Sequence, residues 1–310
     1  LFRSGHLFLS TAMQNTTPTF DLSIVIVTYN NRDLVVDCLT SLARALNSYT
    51  AQLFIIDNHS SDGTREILQH EETWKPLQGQ SVQCVLNAEN VGYTRAVNQG
   101  LRCCEGRYVL MLNPDVVFPH NPFPTLFACF KSPEVGVVAP QLLYPDGRVQ
   151  PSCRRLPRKE DVIVEALGAS RLFSSSARFN GWRMPDFDHR SSRDVAQPQG
   201  AFLLARHEVL TRVEMLDERF PMFFSDVDWC RRVLEHGLRI HFCANAPVVH
   251  HKGASVYPKR ARMIVSSHRS FYDYFLKYDV TTKQRVATRF IYLVLLLATP
   301  LRLLAFKFRS

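Results

Sequence analysis

The sequence predicts an α/β protein: a mainly parallel sheet flanked by helices on both faces, followed by a helical C-terminal extension. Three observations carry this reading. The apolar, β-branched runs Leu22–Tyr29, Gln52–Asp57 and Tyr108–Leu112 are continuous rather than alternating, as in strands buried on both faces. Helical patterns stand between the runs with short connections, the order of repeated strand–helix–strand units. Each run gives way at once to polar residues, Thr28-Tyr29-Asn30, Asp57-Asn58 and Asn113-Pro114-Asp115. Those positions share the carboxyl edge of such a sheet, where ligands bind.

The elements follow in order. After Leu22–Tyr29, Asp33–Leu46 reads as a helix with Leu34, Cys38, Leu42 and Ala45 along one side. Gln52–Asp57 is the second strand, and Ser61-Asp62-Gly63-Thr64 caps a helix running to about Gln69. Val82–Leu86 (strand), Tyr93–Cys104 (helix), Tyr108–Leu112 (strand), Pro122–Phe130 (helix) and Val135–Ala139 (strand) continue the alternation. From Leu142 to about Gln197 the pattern fades into Arg, Ser and Pro, as in a surface wrap or mobile loop. Order returns with Gly200–Ala205, a helix near His207–Arg212, and a helix over Val227–His236 that stops at Gly237. Arg239–Cys243 and Val248–Val249 read as two short strands, Pro258–Tyr278 as a basic helix, and Phe290–Phe306 as an apolar segment. Residues 1–20 lack periodicity and read as a loose leader, with Met13 a candidate start.

With 310 residues and 46% hydrophobic content, the chain can bury a sizeable core, and composition excludes disordered and fibrous classes. The net charge of +9 is unevenly placed. Residues 1–255 hold 26 basic and 26 acidic side chains, while residues 256–310 hold 11 basic and 2 acidic ones. A neutral body with a basic tail argues against nucleic-acid binding. Beside an apolar run it points to an anionic membrane surface. Phe290–Phe306 spans 17 residues and contains Pro300 and Arg302, against the ~20 apolar residues of a spanning helix, so an interfacial segment is expected, with Lys283, Arg285, Arg289, Lys307 and Arg309 near headgroups. Packing on the body or on a second subunit is the first alternative, and a transmembrane anchor the second. The eight cysteines contain no C-x-x-C and read as reduced structural thiols.

Several residues could carry chemistry. Asp57 is either a turn residue or a carboxylate placed to accept a base N–H. Asp115, with Asn113 beside it, is either part of an Asn-Pro turn or a ligand for Mg²⁺ or Mn²⁺, ions that take their remaining oxygens from diphosphate and water. Asn90-x-Gly92, with Arg95 behind it, opens a helix whose N-terminus could meet phosphate. Asp226 and Asp228 start another helix. Acids there either satisfy free helix N–H groups or supply a general base; Asp228 has Arg231 and Arg232 within one turn, so Asp226 is the better candidate for a base. His250 is a metal ligand only if the fold brings it to Asp115.

The ordered series V-T-Y-N-N, I-D-N-x-S-x-D-G-T, N-x-G-x-x-x-A-x-N-x-G, L-N-P-D, Q-G-A-F-L-L-A-R, L-D-E-R-F-x-M-F-F-x-D-V-D and V-V-H-H-x-G-A-S, from about Asp21 to Ser255, resembles family 2 glycosyltransferases of GT-A fold, in particular bacterial rhamnosyltransferase-like members. The resemblance implies a nucleotide-sugar-binding half over residues 21–140, an acceptor-binding and catalytic-base half over 141–255, and an extension over 256–310. It implies an inverting, metal-dependent transfer from a dTDP- or UDP-sugar, best dTDP-L-rhamnose, to a glycan or lipid-linked acceptor at the cytoplasmic membrane face. Thr28, Tyr29 and Asp57 would meet the nucleotide base, Asn113 and Asp115 the metal–diphosphate, and His250 would complete that site. Asp226 would deprotonate the acceptor. Absence of Q-x-x-R-W implies one sugar per encounter. Asn113 and Ser225 stand where the family pattern has acids, which leaves a catalytically inactive scaffold as the alternative.

Overall fold

The computed structural model describes residues 18–166, 176, 180–251 and 260–307. Nearly all of the expected leader lies outside the described residues, as do Gly253, Ser255, Pro258 and most of 167–179.

Six strands run in one direction: β1 (Phe20–Thr28), β2 (Ala51–Asp57), β3 (Ser81–Leu86), β4 (Gly106–Leu112), β6 (Val135–Leu143) and β11 (Arg239–His250). The sheet order is β3-β2-β1-β4-β10-β6-β11-β5. β10 (Phe202–Arg206) lies antiparallel between β4 and β6, and β5 (Val116–Val117) and β8 (Arg193–Asp194) pair antiparallel with β11. Strand β7 (Cys153–Arg154) pairs with β9 (Gln197–Pro198) in a separate ribbon.

The period of two along each strand splits the core into two layers. On one face Leu22, Ile24 and Ile26 pack against Val35, Cys38, Leu39 and Leu42 of α1 (Arg32–Ala45) and Phe123 and Leu126 of α4 (Phe123–Ala128). On the other, Val25, Val27, Phe54 and Ile56 meet Ala96 and Val97 of α3 (Tyr93–Leu101), and the layer extends to Val209 and Val213 of α6 (His207–Val213) and to Trp229 and Val233 of α7 (Ser225–Glu235). A third cluster joins α7 to the C-terminal pair α8 (Arg260–Tyr278) and α9 (Thr282–Lys307) through Phe224, Val227, Phe271, Tyr274, Phe275, Ile291 and Leu295. Among the described residues, no helix is long and apolar enough to cross a membrane.

Four details differ from the sequence expectation. The two strands expected in 239–249 are one, because a register shift between Cys243 and Pro247 absorbs the irregular residues between them. Antiparallel β10 fills the gap between β4 and β6. A 3-10 helix spans Glu71–Leu77, after α2 (Thr64–Gln69). Within the expected loop, α5 (Lys159–Ala166) forms, and Gln150 and Cys153 are fully buried. All eight cysteines are free thiols.

Candidate active site

The polar strand ends do converge. Thr28 and Asp57 are register partners on adjacent parallel strands, both fully buried. Asp57 Oδ2 accepts hydrogen bonds from Ser60 N at 3.0 Å and from Arg65 Nη1 at 3.1 Å. Arg65 also donates to the Asn87 carbonyl at 2.7 Å, so one guanidinium ties the ends of β2 and β3. This fixes the Asp57 carboxylate with Oδ1 left over, and neither Asp57 Oδ1 nor Thr28 Oγ1 has a hydrogen-bond partner. Tyr29, half-buried, follows Thr28. An amide network shapes the next loop. Asn58 Oδ1 accepts from Asn87 Nδ2 and Val91 N, and Asn58 Nδ2 donates to Asn90 Oδ1, which also accepts from Gly92 N.

The second group lies past β4. Pairing of β5 with β11 sets His250 opposite Val116, and His251 N donates to the Asp115 carbonyl at 2.9 Å. Residues 135 apart in the chain therefore meet, with His250 Nε2 3.4 Å from Asp115 Oδ1. That oxygen is buried and accepts no hydrogen bond. Gln150, itself fully buried, places Oε1 2.7 Å from His250 Nδ1 and Nε2 3.4 Å from the His250 carbonyl. Only a protonated Nδ1 satisfies an amide oxygen, so the neutral ring keeps its Nε2 lone pair toward Asp115.

These two side chains fit Mg²⁺ or Mn²⁺. An unpartnered buried carboxylate oxygen and an imidazole lone pair share one space, and their 3.4 Å separation is near the ~3 Å edge of an octahedron of ~2.1 Å bonds. Among the described residues no cluster of three or more His, Cys, Asp or Glu side chains could hold a metal. Two side chains at this spacing leave most of an octahedral shell to other groups. Asn113 is half-buried beside them, its N–H bonded to Ala201 O.

Asp226 occupies the first turn of α7. Its Oδ2 accepts from Gly200 N at 3.0 Å and Gln197 Nε2 at 3.2 Å, and its Oδ1 accepts from Val227 N. A Cβ on residue 200 would come 3.0 Å from the Asp226 Cβ, so glycine permits this approach. Burial pushes the carboxyl above the ordinary aspartate range, against the opposing pull of these hydrogen bonds. The residue before α7, Phe224, has φ of 70°, costly for an aromatic side chain. Edge contact with Phe271 at 4.4 Å and packing on Tyr274 hold it there. Asp228 is structural. It bonds Arg232 Nε, Lys277 Nζ and Tyr278 Oη, while Arg231 turns to Glu235.

Arg95 is mostly exposed and pairs with Glu218 at 3.1 Å. Gly92 has φ of 86°, and the close approach it allows is to Pro221, whose carbonyl would lie 3.1 Å from an added Cβ. The loop that leads into α7 is thus seated on the start of α3. Sequence reasoning named Asn58 only as a polar strand end, and passed over Arg65, Asn87, Gln150, Gln197 and Tyr93. The Tyr93 hydroxyl is pushed upward by burial and then by the charges of Asp226 and Asp115, so it lies within electrostatic reach of both carboxylates. Asn87 carried the same signal as Asn58, since each directly follows a strand, buried β2 for Asn58 and the half-exposed edge strand β3 for Asn87.

The glycosyl transferase family 2 profile matches residues 23–186. N-acetylglucosaminyl-diphospho-decaprenol L-rhamnosyltransferase of Mycobacterium tuberculosis is 27% identical over 266 residues, covering 81% of this chain and 82% of that protein. Rhamnosyltransferase WbbL of Escherichia coli is 24% identical over 249 residues, 79% of this chain and 89% of that one. Among solved structures, the mannosyltransferase PcManGT of Pyrobaculum calidifontis, in complex with GDP-Man and Mn²⁺, superposes with a TM-score of 0.56 at 17% identity, covering 91% of this chain and 73% of that one. The fold is therefore of the expected GT-A type.

Proposed function

The chain belongs to glycosyl transferase family 2 and is a glycosyltransferase, and we propose that it moves one sugar, with inversion, from a nucleoside diphosphate to a hydroxyl of a glycan or lipid-linked acceptor. The observation that carries this reading is the set of orphaned atoms. Thr28 Oγ1, Asp57 Oδ1 and Asp115 Oδ1 are buried without hydrogen-bond partners along one sheet edge. Each such group costs on the order of 1–3 kcal/mol when unpaired, so a ligand that pairs all three is favoured.

Asp57 Oδ1 would accept the N–H of a pyrimidine base, with Thr28 and Tyr29 beside it. Asn90 and Gly92 would shape the loop next to the phosphates, with Asn113 nearby and Arg95 at the rim. Asp115 and His250 would hold Mg²⁺ or Mn²⁺, which when bound stabilises the charge that develops on the departing diphosphate. Asp226 takes the acceptor's proton as its oxygen bonds to the anomeric carbon. The bond from that carbon to diphosphate breaks on the opposite face, which inverts the centre. A base with a raised pKa, fixed by three hydrogen bonds, suits that task. dTDP-L-rhamnose is the donor we favour, by likeness to the two rhamnosyltransferases. The place of action is the cytoplasmic membrane face, reached through residues 256–310. The test is calorimetric binding of dTDP- and UDP-sugars with Mn²⁺ and with chelator. Metal-dependent binding of one donor supports the assignment. No binding under any condition refutes it and favours an inactive scaffold.

A further inference from the structure

The two faces of α9 differ in character. Thr288, Ile291 and Leu295 are buried at helical spacing against the cluster of Val162, Phe271 and Phe275, and Thr299 continues the row with its hydroxyl 3.0 Å from His268 Nδ1. At 3.6 residues per turn, Val286, Phe290, Leu293 and Leu297 fall in one line on the opposite side. They are 57%, 65%, 52% and 69% exposed. Lys283 flanks that line on one side and Arg289 on the other, each roughly 60° from its centre. Both are exposed. Isolated exposed apolar residues are ordinary, but a continuous row rimmed by one sign of charge marks an interaction surface.

We propose that this outer face of α9 docks on an anionic lipid surface. Two features on the page select that occupant. Residues 282–307 contain no Asp or Glu, and the whole net charge of +9 lies in residues 256–310. A second copy meeting the same face would oppose Lys283 and Arg289 to like charges, whereas phosphate headgroups complement them. The apolar row then lies in the headgroup–acyl boundary, with α8 and α7 linking it to the base Asp226. The inference deepens the membrane placement proposed above and does not depend on donor chemistry.

The test is vesicle flotation of the full chain with phosphatidylglycerol-containing and pure phosphatidylcholine vesicles, with donor binding measured on the same preparations. Wild type floats with anionic vesicles and at least roughly tenfold less with neutral ones. Phe290→Asp with Leu297→Asp abolishes flotation, and Lys283→Glu with Arg289→Glu lowers it about tenfold or more. Neither double variant alters donor binding. Phe290→Trp, a milder change, gives a blue-shifted emission on addition of anionic vesicles. Flotation unaffected by the Asp substitutions, no flotation of wild type, or no Trp shift overturns the proposal. A wild-type dimer that the Asp substitutions convert to monomer also overturns it, in favour of a second copy. Loss of donor binding by wild type would instead strike the transferase assignment.

Discussion

Replacing Gln150 by Leu keeps the size of a fully buried side chain but removes the acceptor 2.7 Å from His250 Nδ1. A buried N–H left unpaired costs about 1–3 kcal/mol. The ring escapes this by moving its proton to Nε2, where Asp115 Oδ1 stands 3.4 Å away. In that tautomer Nε2 has no lone pair for a cation, so metal binding must reverse the change. Partners of metal-ligating histidines are worth 10–100-fold in affinity, or about 1.4–2.7 kcal/mol. Mn²⁺ titration by electron paramagnetic resonance, in the presence of nucleoside diphosphate, reads this directly. Gln150→Leu should weaken Mn²⁺ by that factor, while Gln150→Glu, which retains an acceptor, should stay within a few-fold of wild type. Equal Mn²⁺ affinity in wild type and Gln150→Leu would refute the reasoning.

Three further outcomes follow from the same geometry. Asp228→Ala strands Lys277 and Arg232, both largely buried. It should cost about 3 kcal/mol of unfolding free energy in urea, the low end for a broken buried pair because Lys277 keeps Asp217 and Arg232 keeps two carbonyls. A loss below about 1 kcal/mol would contradict this. Gly92→Ala forces φ of 86° on an L-residue and crowds Pro221, so a loss of roughly 1–2 kcal/mol is expected in thermal unfolding, and an unchanged midpoint would count against the seat described. Because burial raises the Asp226 pKa, the acid limb of kcat/KM should fall at higher pH than an ordinary aspartate near 3.8 would give. By the same shift Asp226 favours folding most below its unfolded pKa and loses that contribution as pH rises through its folded pKa. A pH–rate profile without that limb would remove Asp226 from the base role.

The N-terminal half of the fold was legible because three of its strands are buried on both faces, so Leu22–Tyr29, Gln52–Asp57 and Tyr108–Leu112 appear as unbroken runs whose ends mark the sheet edge. The condition set for His250 could be stated in advance but not decided, since its meeting with Asp115 depends on a two-residue pairing of β5 that has no periodicity. Antiparallel β10 was hidden for a related reason: an apolar run does not record strand direction. Gln150 lies in a segment rich in Arg, Ser and Pro, where its burial comes from tertiary packing alone. Arg65 looked like any exposed helical arginine, and only the fold folds its guanidinium back to Asp57. The sidedness of α9 is readable from spacing, but an apolar segment that begins at Phe290 omits Val286, which lies on the same exposed face.

Separating binding from turnover decides whether one constellation binds a sugar nucleotide through Asp115 and activates the acceptor through Asp226. Donor binding and transfer would be measured for wild type, Asp115→Ala and Asp226→Ala with Mn²⁺ present. Asp226→Ala should bind donor as wild type does but transfer no sugar, while Asp115→Ala should lose metal-dependent binding itself. Transfer by Asp226→Ala at the wild-type rate, or metal-dependent donor binding undiminished in Asp115→Ala, would contradict this.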